Sequence, residues 1–401
     1  MVIGIDASRA NKQERTGTEW YSYHVIQQLK EIIPDTHQVF LYTKEPLLDD
    51  LADLPQHWKS KVLAWPPRFL WTQLRLSLEM LLHKPDILYI PAHTIPIIHP
   101  EKIALVVHDV GFERQDELYD PKLIGYNSGV MKRIINAGVK LATLGKYGSS
   151  ERDYHRFAMD LAVKHATRII TVSEFSKREM IDIYKLPEEL IAAIPNGFNA
   201  LAAPADTEEI LAELSISKPY IAFVGRLEQK KNVPRLIEAF GVLKQSYGYE
   251  GKLVLVGSPG YQHELIQKLI RDNQLSGDII ETGWADSAQL AAIVANADVF
   301  VLPSLYEGFG IPVLEAMSAD TVVACSDIPS LREVAGDAAF FFNSKSSNAI
   351  AAALNTVISD ELLRDDLILR GRRRITHFSW ALTAKSTWAE LEKILYNTGH
   401  E

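Results

Sequence analysis

The octapeptide Gly225-Arg226-Leu227-Glu228-Gln229-Lys230-Lys231-Asn232 follows the apolar run Tyr220–Val224 and leads into Val233-Pro234, which opens a helical pattern. In an open α/β sheet, ligands lie beyond the carboxyl ends of strands, where helix N-termini offer free N–H groups to anions. Gly225 lets a backbone approach closely, and Arg226 and Lys231 can converge on one anion, a diphosphate being the natural candidate. Taken alone, the motif fits a solvated charged loop equally well. A second stretch, Pro303-Ser304-Leu305-Tyr306-Glu307-Gly308-Phe309-Gly310-Ile311-Pro312-Val313-Leu314-Glu315, follows the apolar run Val299–Leu302. Two glycines make a tight turn there, and Pro312 pre-sets a first helical turn. Glu307 then sits in a strand-to-helix loop and Glu315 one turn into the helix. Carboxylates accept from pairs of hydroxyls, so one suits a ribose and the other a sugar. A capping or helix-dipole role is the plain alternative for Glu307. Glu315 has apolar neighbours in Val313, Leu314 and Ala316, and a carboxylate in such a helix needs partners.

In the first half, the run Ile103–Val107 ends in His108-Asp109-Val110-Gly111. A histidine at the carboxyl end of a buried strand faces the ligand side of the sheet, although a lone one is more often a satisfied interior group. Asp109 suits either an acceptor contact or a turn. Residues 121–150 carry Lys122, Lys132, Arg133, Lys140 and Lys146 and no acidic residue. Met131, Ile134, Ile135, Gly138 and Leu141 can share one helical face. A basic amphipathic surface of this kind fits contact with anionic lipid or a lipid-linked acceptor; a helix docked on its own domain fits as well.

These residues require a scaffold of buried parallel strands. Apolar runs without alternation at Val2–Ile5, Val39–Tyr42, Ile87–Ile90, Ile103–Val107 and Ile169–Val172 suit strands covered on both faces. The second half repeats the scheme at Tyr220–Val224, Leu253–Val256, Ile279–Glu281, Val299–Leu302, Val322–Ala324 and Ala339–Phe342, with helical stretches between. The reading is α/β: two Rossmann-like, doubly wound domains, 1–197 and 198–379. The turn cluster Pro195-Asn196-Gly197 marks the boundary. An amphipathic helix over 380–396 is expected to pack back on the first domain.

At 401 residues the chain exceeds what one core fills. Its 47% apolar and 23% charged residues are those of an ordinary globular protein, and a net charge of −9 argues against general nucleic-acid binding. Cys325 is the only cysteine, which excludes an internal disulfide and a multi-cysteine metal site. The N-terminus reads as a first strand, not a signal peptide, and no apolar run is long enough to span a bilayer. Cytoplasmic residence is expected, with peripheral attachment at the inner face of the membrane a further possibility.

The two motifs in this order resemble glycosyltransferase family 4, retaining enzymes of GT-B fold with two Rossmann-like domains facing each other across a cleft. Pro195-Asn196-Gly197 and Ser326-Asp327-Ile328-Pro329-Ser330…Glu333-Val334 extend the likeness over nearly the whole chain. By that resemblance Arg226 and Lys231 bind the donor diphosphate. Glu307 and the backbone of Gly308, Phe309, Gly310 and Ile311 meet the transferred sugar, and Glu315 holds the ribose. His108 lies near the sugar's primary hydroxyl, and Thr171-Val172-Ser173-Glu174-Phe175-Ser176 is a strand end and helix cap lining the cleft. Gly17 stands where family members often carry paired glycines near the diphosphate; here the loop Arg15-Thr16-Gly17-Thr18-Glu19 has one. Candidate base contacts are Gly257–Gly260 and Gly283-Trp284.

The catalytic set is thus His108, Arg226, Lys231 and Glu307. The donor set adds Gly17, Gly225, Trp284, Gly308, Phe309, Gly310, Ile311 and Glu315, with Asp109 and Ser173 as acceptor-side candidates. No Asp-x-Asp occurs in the chain, and two fixed cations can replace a metal on the leaving diphosphate, so neither a metal nor a cofactor is expected. General likeness to bacterial mannosyltransferases around His108-Asp109 favours GDP-mannose as donor, with a glycan or lipid-linked glycan as acceptor. Rival readings are another GT-B enzyme, an epimerase or phosphorylase, and a non-catalytic nucleotide-sugar-binding subunit. On this division of the site, Glu315→Gln weakens nucleotide binding, whereas Glu307→Gln lowers turnover and leaves nucleoside diphosphate affinity unchanged.

Overall fold

A computed structural model describes residues 1–65, 70–114 and 151–396. The basic stretch 121–150 lies outside the described residues. The chain divides into two compact units, Met1–Gly197 with the stretch from Ser379 onward, and Phe198–Phe378.

The first unit is built on a parallel sheet of seven strands among the described residues: β1 Val2–Asp6, β2 Gln38–Thr43, β3 Trp58–Val62, β4 Ile87–Ile90, β5 Lys102–Val107, β6 Arg168–Thr171 and β7 Ile191–Ala193. Their order is β3-β2-β1-β4-β5-β6-β7. Ile3, Ile5, Leu88, Ile90, Leu105, Val107 and Ile169 have no more than 1% of their surface exposed, as expected of strands covered on both faces. β3 and β7 were not evident from the sequence. β3 is an edge strand whose Lys59, Ser60 and Lys61 break the apolar pattern, and β7 has only three residues.

The C-terminal helix Trp380–Tyr396 belongs to this unit. Its Thr383 hydroxyl donates to Pro195 O at 2.8 Å, and the Trp380 ring stacks on His24 with centroids 4.9 Å apart. Gly197 packs against the backbone of Ser379 and Trp380, and a Cβ there would fall on Trp380 N. The glycine of the boundary turn is therefore required by close approach.

The second unit holds a parallel sheet of six strands among the described residues: β8 Tyr220–Val224, β9 Lys252–Val256, β10 Ile279–Gly283, β11 Val299–Leu302, β12 Val323–Ser326 and β13 Phe340–Phe342, in the order β10-β9-β8-β11-β12-β13. The order reverses between β8 and β11, which pair directly through Val299 with Ile221 and Phe300 with Ala222. At such a switch point the loops leaving the two strands turn to opposite faces and open a crevice. The loops leaving β8 and β11 are those that carry Arg226, Lys231 and Glu307. No helix among the described residues is long and apolar enough to cross a membrane.

Candidate functional site

The loop after β8 and the loop after β11 are joined by charge. The Lys231 ammonium lies 2.6 Å from Glu307 Oε1, and the buried Ser304 hydroxyl donates to the same oxygen at 2.6 Å. Glu307 is itself buried, and its carboxylate is satisfied by these two donors, as a buried charge must be. The loops are also joined through the backbone, where Leu305 N–H donates to Lys230 O at 3.0 Å.

Asn232 locks this arrangement. It is buried, with left-handed backbone (φ 60°, ψ 27°), a conformation that Asn tolerates better than most residues. Its Nδ2 donates to Pro303 O at 2.9 Å and to Ser344 O at 2.8 Å, and its Oδ1 accepts from Arg235 at 3.0 Å. One amide thus ties the loops after β8, β11 and β13 together. The sequence showed Asn232 only as the end of a motif. Its partners lie 71 and 112 positions away, and no local spacing reveals them.

On the other side of β8, Gly225 has φ 154° and its N–H donates to Val256 O at 2.9 Å. Gly257, the residue after β9, has φ 144°, and a Cβ on it would fall on Gly225 O. Leu227 N–H then reaches Ser258 O at 3.1 Å, and Gly257 N–H reaches Gly283 O at 2.8 Å. Three successive strand ends are sewn into one rim that ends at the half-exposed Trp284. Arg226 stands exposed on this rim, and no hydrogen bond or ion pair reaches it among the described residues.

After β11, Gly310 adopts φ 108° as it enters the helix Ile311–Ser318, with Pro312 in the first turn. A Cβ on Gly310 would come within 2.5 Å of Leu331 Cδ2, so the helix begins tight against its neighbour and only glycine fits. Phe309 is buried edge-on against Phe378, with centroids 5.8 Å apart. Gly308 is buried in the same turn. Glu315 sits partly buried in that helix, with no hydrogen bond or ion pair to its carboxylate among the described residues. Desolvation pushes its carboxyl up to about 7. A carboxylate held this way is set up to take hydroxyl donors from a ligand.

The first unit holds the remaining candidates. His108 Nε2 lies 3.2 Å from Pro91 O, and Tyr21 packs edge-on against its ring at 4.8 Å. Burial lowers its pKa, which favours neutral imidazole. Asp109 Oδ1 accepts from Gly111 N–H at 3.0 Å and so holds the turn that starts the next helix. Ser173 is fully buried and caps the helix Glu174–Tyr184 through Ser176 N–H at 3.0 Å. Gly17 opens the helix Gly17–Ile32, and among the described residues beyond its own turn no atom lies within 4 Å of where a Cβ would stand. Near the ends of β4 and β5, His93 Nε2 is 2.7 Å from His155 Nδ1. Sequence reading missed this pair, since the two lie 62 positions apart and neither stands in a motif. Among the described residues no group of three or more His, Cys, Asp or Glu is placed to hold a metal ion.

Comparison with known proteins bears on this geometry. A model described as Glycosyltransferase Family 4 matches residues 15–200, and one described as Glycosyl transferases group 1 matches residues 206–374. The chain belongs to glycosyltransferase family 4. O-antigen chain mannosyltransferase B of Escherichia coli is 28% identical to this glycosyltransferase over 294 residues, covering 71% of this chain and 75% of that protein. Sucrose-phosphate synthase from Thermosynechococcus elongatus superposes with a TM-score of 0.71 at 18% identity, covering 99% of this chain and 100% of that one. WaaG, a glycosyltransferase involved in lipopolysaccharide biosynthesis, gives 0.70 at 14% identity, covering 99% and 100%. The fold is GT-B in type, with two Rossmann-like α/β domains.

Proposed function

We propose that this glycosyltransferase moves a hexose from a nucleoside diphosphate sugar to a glycan or lipid-linked glycan, with retention at the anomeric carbon and without a metal. The observation that carries the reading is the switch point between β8 and β11. There an exposed Arg226 and the Lys231–Glu307 pair stand beside glycine-lined backbone. Departure of the nucleoside diphosphate breaks the anomeric C–O bond and leaves the electron pair on a phosphate oxygen. Arg226 and Lys231 offset that charge, the kind of electrostatic term that often dominates catalysis. The acceptor hydroxyl attacks on the same face, and its proton passes to the departing phosphate oxygen, so no protein nucleophile is required. Glu307 takes sugar hydroxyls beside Lys231 and Glu315 takes the ribose, while a neutral imidazole at His108 is suited to bond a sugar hydroxyl.

Likeness to O-antigen chain mannosyltransferase B supports mannose as the sugar moved and polysaccharide synthesis as the setting, and the donor proposed here is GDP-mannose. A thermal-shift screen of nucleotide sugars tests the donor. A ligand at 100 times its Kd stabilises by about 2.7 kcal/mol, and GDP-mannose is expected to give the largest shift. Transfer assayed with excess EDTA tests the metal, and activity is expected to persist. Loss on chelation that magnesium restores overturns the cation-pair account.

A further inference from the structure

We infer that Tyr21 is a positioning residue for His108: together with the Pro91 carbonyl it holds the imidazole as the Nε2–H tautomer and leaves Nδ1 as the acceptor for a ligand hydroxyl. The tautomer follows from one contact. His108 Nε2 lies 3.2 Å from Pro91 O, and a carbonyl only accepts, so the hydrogen is on Nε2. Burial favours the neutral ring, which carries a single N–H and a bare lone pair on its other nitrogen. No other hydrogen bond reaches the ring among the described residues, and His108 is only half-buried. The nitrogen left for a ligand therefore takes a hydrogen bond and cannot give one. This role rests on the place given to His108 under the proposed function.

A bond of 3.2 Å is at the long end of the N–H···O range, and alone it does not fix a ring that turns about its Cβ–Cγ bond. Half a turn puts Cε1 where Nε2 stood and breaks the contact with Pro91. Tyr21 supplies the second constraint. Its ring packs T-shaped on the imidazole, with centroids 4.8 Å apart and planes at 83°. Such a pair is worth about two- to tenfold in population beyond the area it buries. Tyr21 has no room to yield. It is fully buried, its hydroxyl lies 3.4 Å from that of Tyr89, and Trp380 meets its ring T-shaped at 6.0 Å. Trp380 opens the C-terminal helix and is itself held against Gly197. The next residue of Tyr21's own helix touches the other partner of His108. Ser22 Oγ donates to Thr18 O at 2.8 Å and lies 3.3 Å from Pro91 O. One turn of the helix Gly17–Ile32 thus borders both the histidine ring and the carbonyl that binds it.

Nitrogen NMR of the full chain with isotope-labelled histidine tests it, the His108 signals being those that His108→Gln removes. The wild type should show a protonated Nε2 and a bare Nδ1. Tyr21→Phe keeps the ring and should keep both this signature and turnover, read as GDP released from GDP-mannose without an acceptor. Tyr21→Met fills much of the space without a ring. It should raise the share of the Nδ1–H tautomer by about two- to tenfold and lower turnover by about tenfold or more, as a misplaced group does. Binding of GDP and UDP should stay as in the wild type, which separates the result from a failure of the donor site. Trp380→Leu removes the ring behind Tyr21 and carries the same comparison if Tyr21→Met does not fold. A wild type with its hydrogen on Nδ1 overturns the inference. So does a ring-deleting variant in which the His108 tautomer is unchanged, and a lower Tm alongside that result assigns Tyr21 to core packing alone. Wild-type turnover by His108→Gln overturns the reading of His108 itself, and the positioning role falls with it.

Discussion

Lys231 and Glu307 form a 2.6 Å ion pair across the point where the second sheet reverses its strand order. The ammonium proposed to offset diphosphate charge is thus already matched by the carboxylate proposed to hold the sugar. Reading the sequence as two separate sites, one per ligand part, predicts that Glu307→Gln leaves nucleoside diphosphate affinity unchanged. The geometry predicts otherwise. Neutralising Glu307 removes a negative charge beside the diphosphate and frees the ammonium. Affinity for the nucleoside diphosphate should rise by about tenfold, equivalent to about 1.4 kcal/mol, while turnover falls through loss of the sugar contact and slower product release. Calorimetry with GDP and UDP on wild type and Glu307→Gln decides it. Equal or weaker binding by the variant shows that the ion pair does not oppose the product.

Glu315 makes a pH prediction. Its carboxyl is raised to about 7 by desolvation in the free protein, and ribose hydroxyls donating to it favour the ionised form. Binding then lowers its pKa and releases a proton. Nucleotide affinity should rise with pH up to about 7 and level off above it, and Glu315→Gln should flatten the profile and bind more weakly. Without ligand the sign is reversed for stability. Between the ordinary Glu value and about 7 the folded protein binds more protons than the unfolded chain, so this group's contribution to stability falls as pH rises through that window. Glu315→Gln should remove that slope. Calorimetry across pH in buffers of different ionisation enthalpy, with Tm measured in parallel, checks both signs.

Asn232 separates backbone conformation from side-chain bracing. Glycine adopts its left-handed φ freely, whereas alanine there is strained by roughly 1–2 kcal/mol. Both replacements delete the amide that reaches Pro303 O and Ser344 O. Asn232→Gly should therefore keep a Tm closer to wild type than Asn232→Ala, and both should lose turnover to a similar extent. If Asn232→Gly retains full turnover, the brace is dispensable and the residue serves only its backbone conformation.

The parts of the fold that sequence made legible are those with a local physical signature. β1, β4, β5, β8 and β11 are short, unbroken apolar runs because both faces of each are covered, and Pro312 and Gly310 mark a helix start by their own backbone limits. β3 escaped notice because an edge strand carries polar residues. Within the site, Arg226, Lys231, Glu307 and Glu315 stand in motifs and were legible as chemical types. What each does to the others was not, because the Lys231–Glu307 pair spans 76 positions and the Asn232 contacts span 71 and 112. Ser173 was legible for a local reason, since a serine between a strand end and a helix reads as a cap, and its hydroxyl accepts from Ser176 N–H at 3.0 Å.

Two glycines provide a last contrast. Gly257 has φ 144° and no room for a Cβ, which would fall on Gly225 O. Gly257→Ala should break the rim that joins the ends of β8, β9 and β10, lowering Tm by several degrees and nucleotide affinity with it, as strain at a left-handed, overpacked position does. Gly17 is different. Among the described residues nothing beyond its own turn stands within 4 Å of its missing Cβ, and its φ lies outside the left-handed region, so neither that packing nor backbone conformation requires a glycine. If that open space is kept for the donor diphosphate, Gly17→Ala should leave Tm unchanged and weaken nucleotide-sugar binding by about tenfold, or about 1.4 kcal/mol. Thermal denaturation and calorimetry on the two variants test the pair together. A Gly17→Ala protein that binds donor as tightly as wild type removes Gly17 from the donor site, whatever Gly257→Ala does.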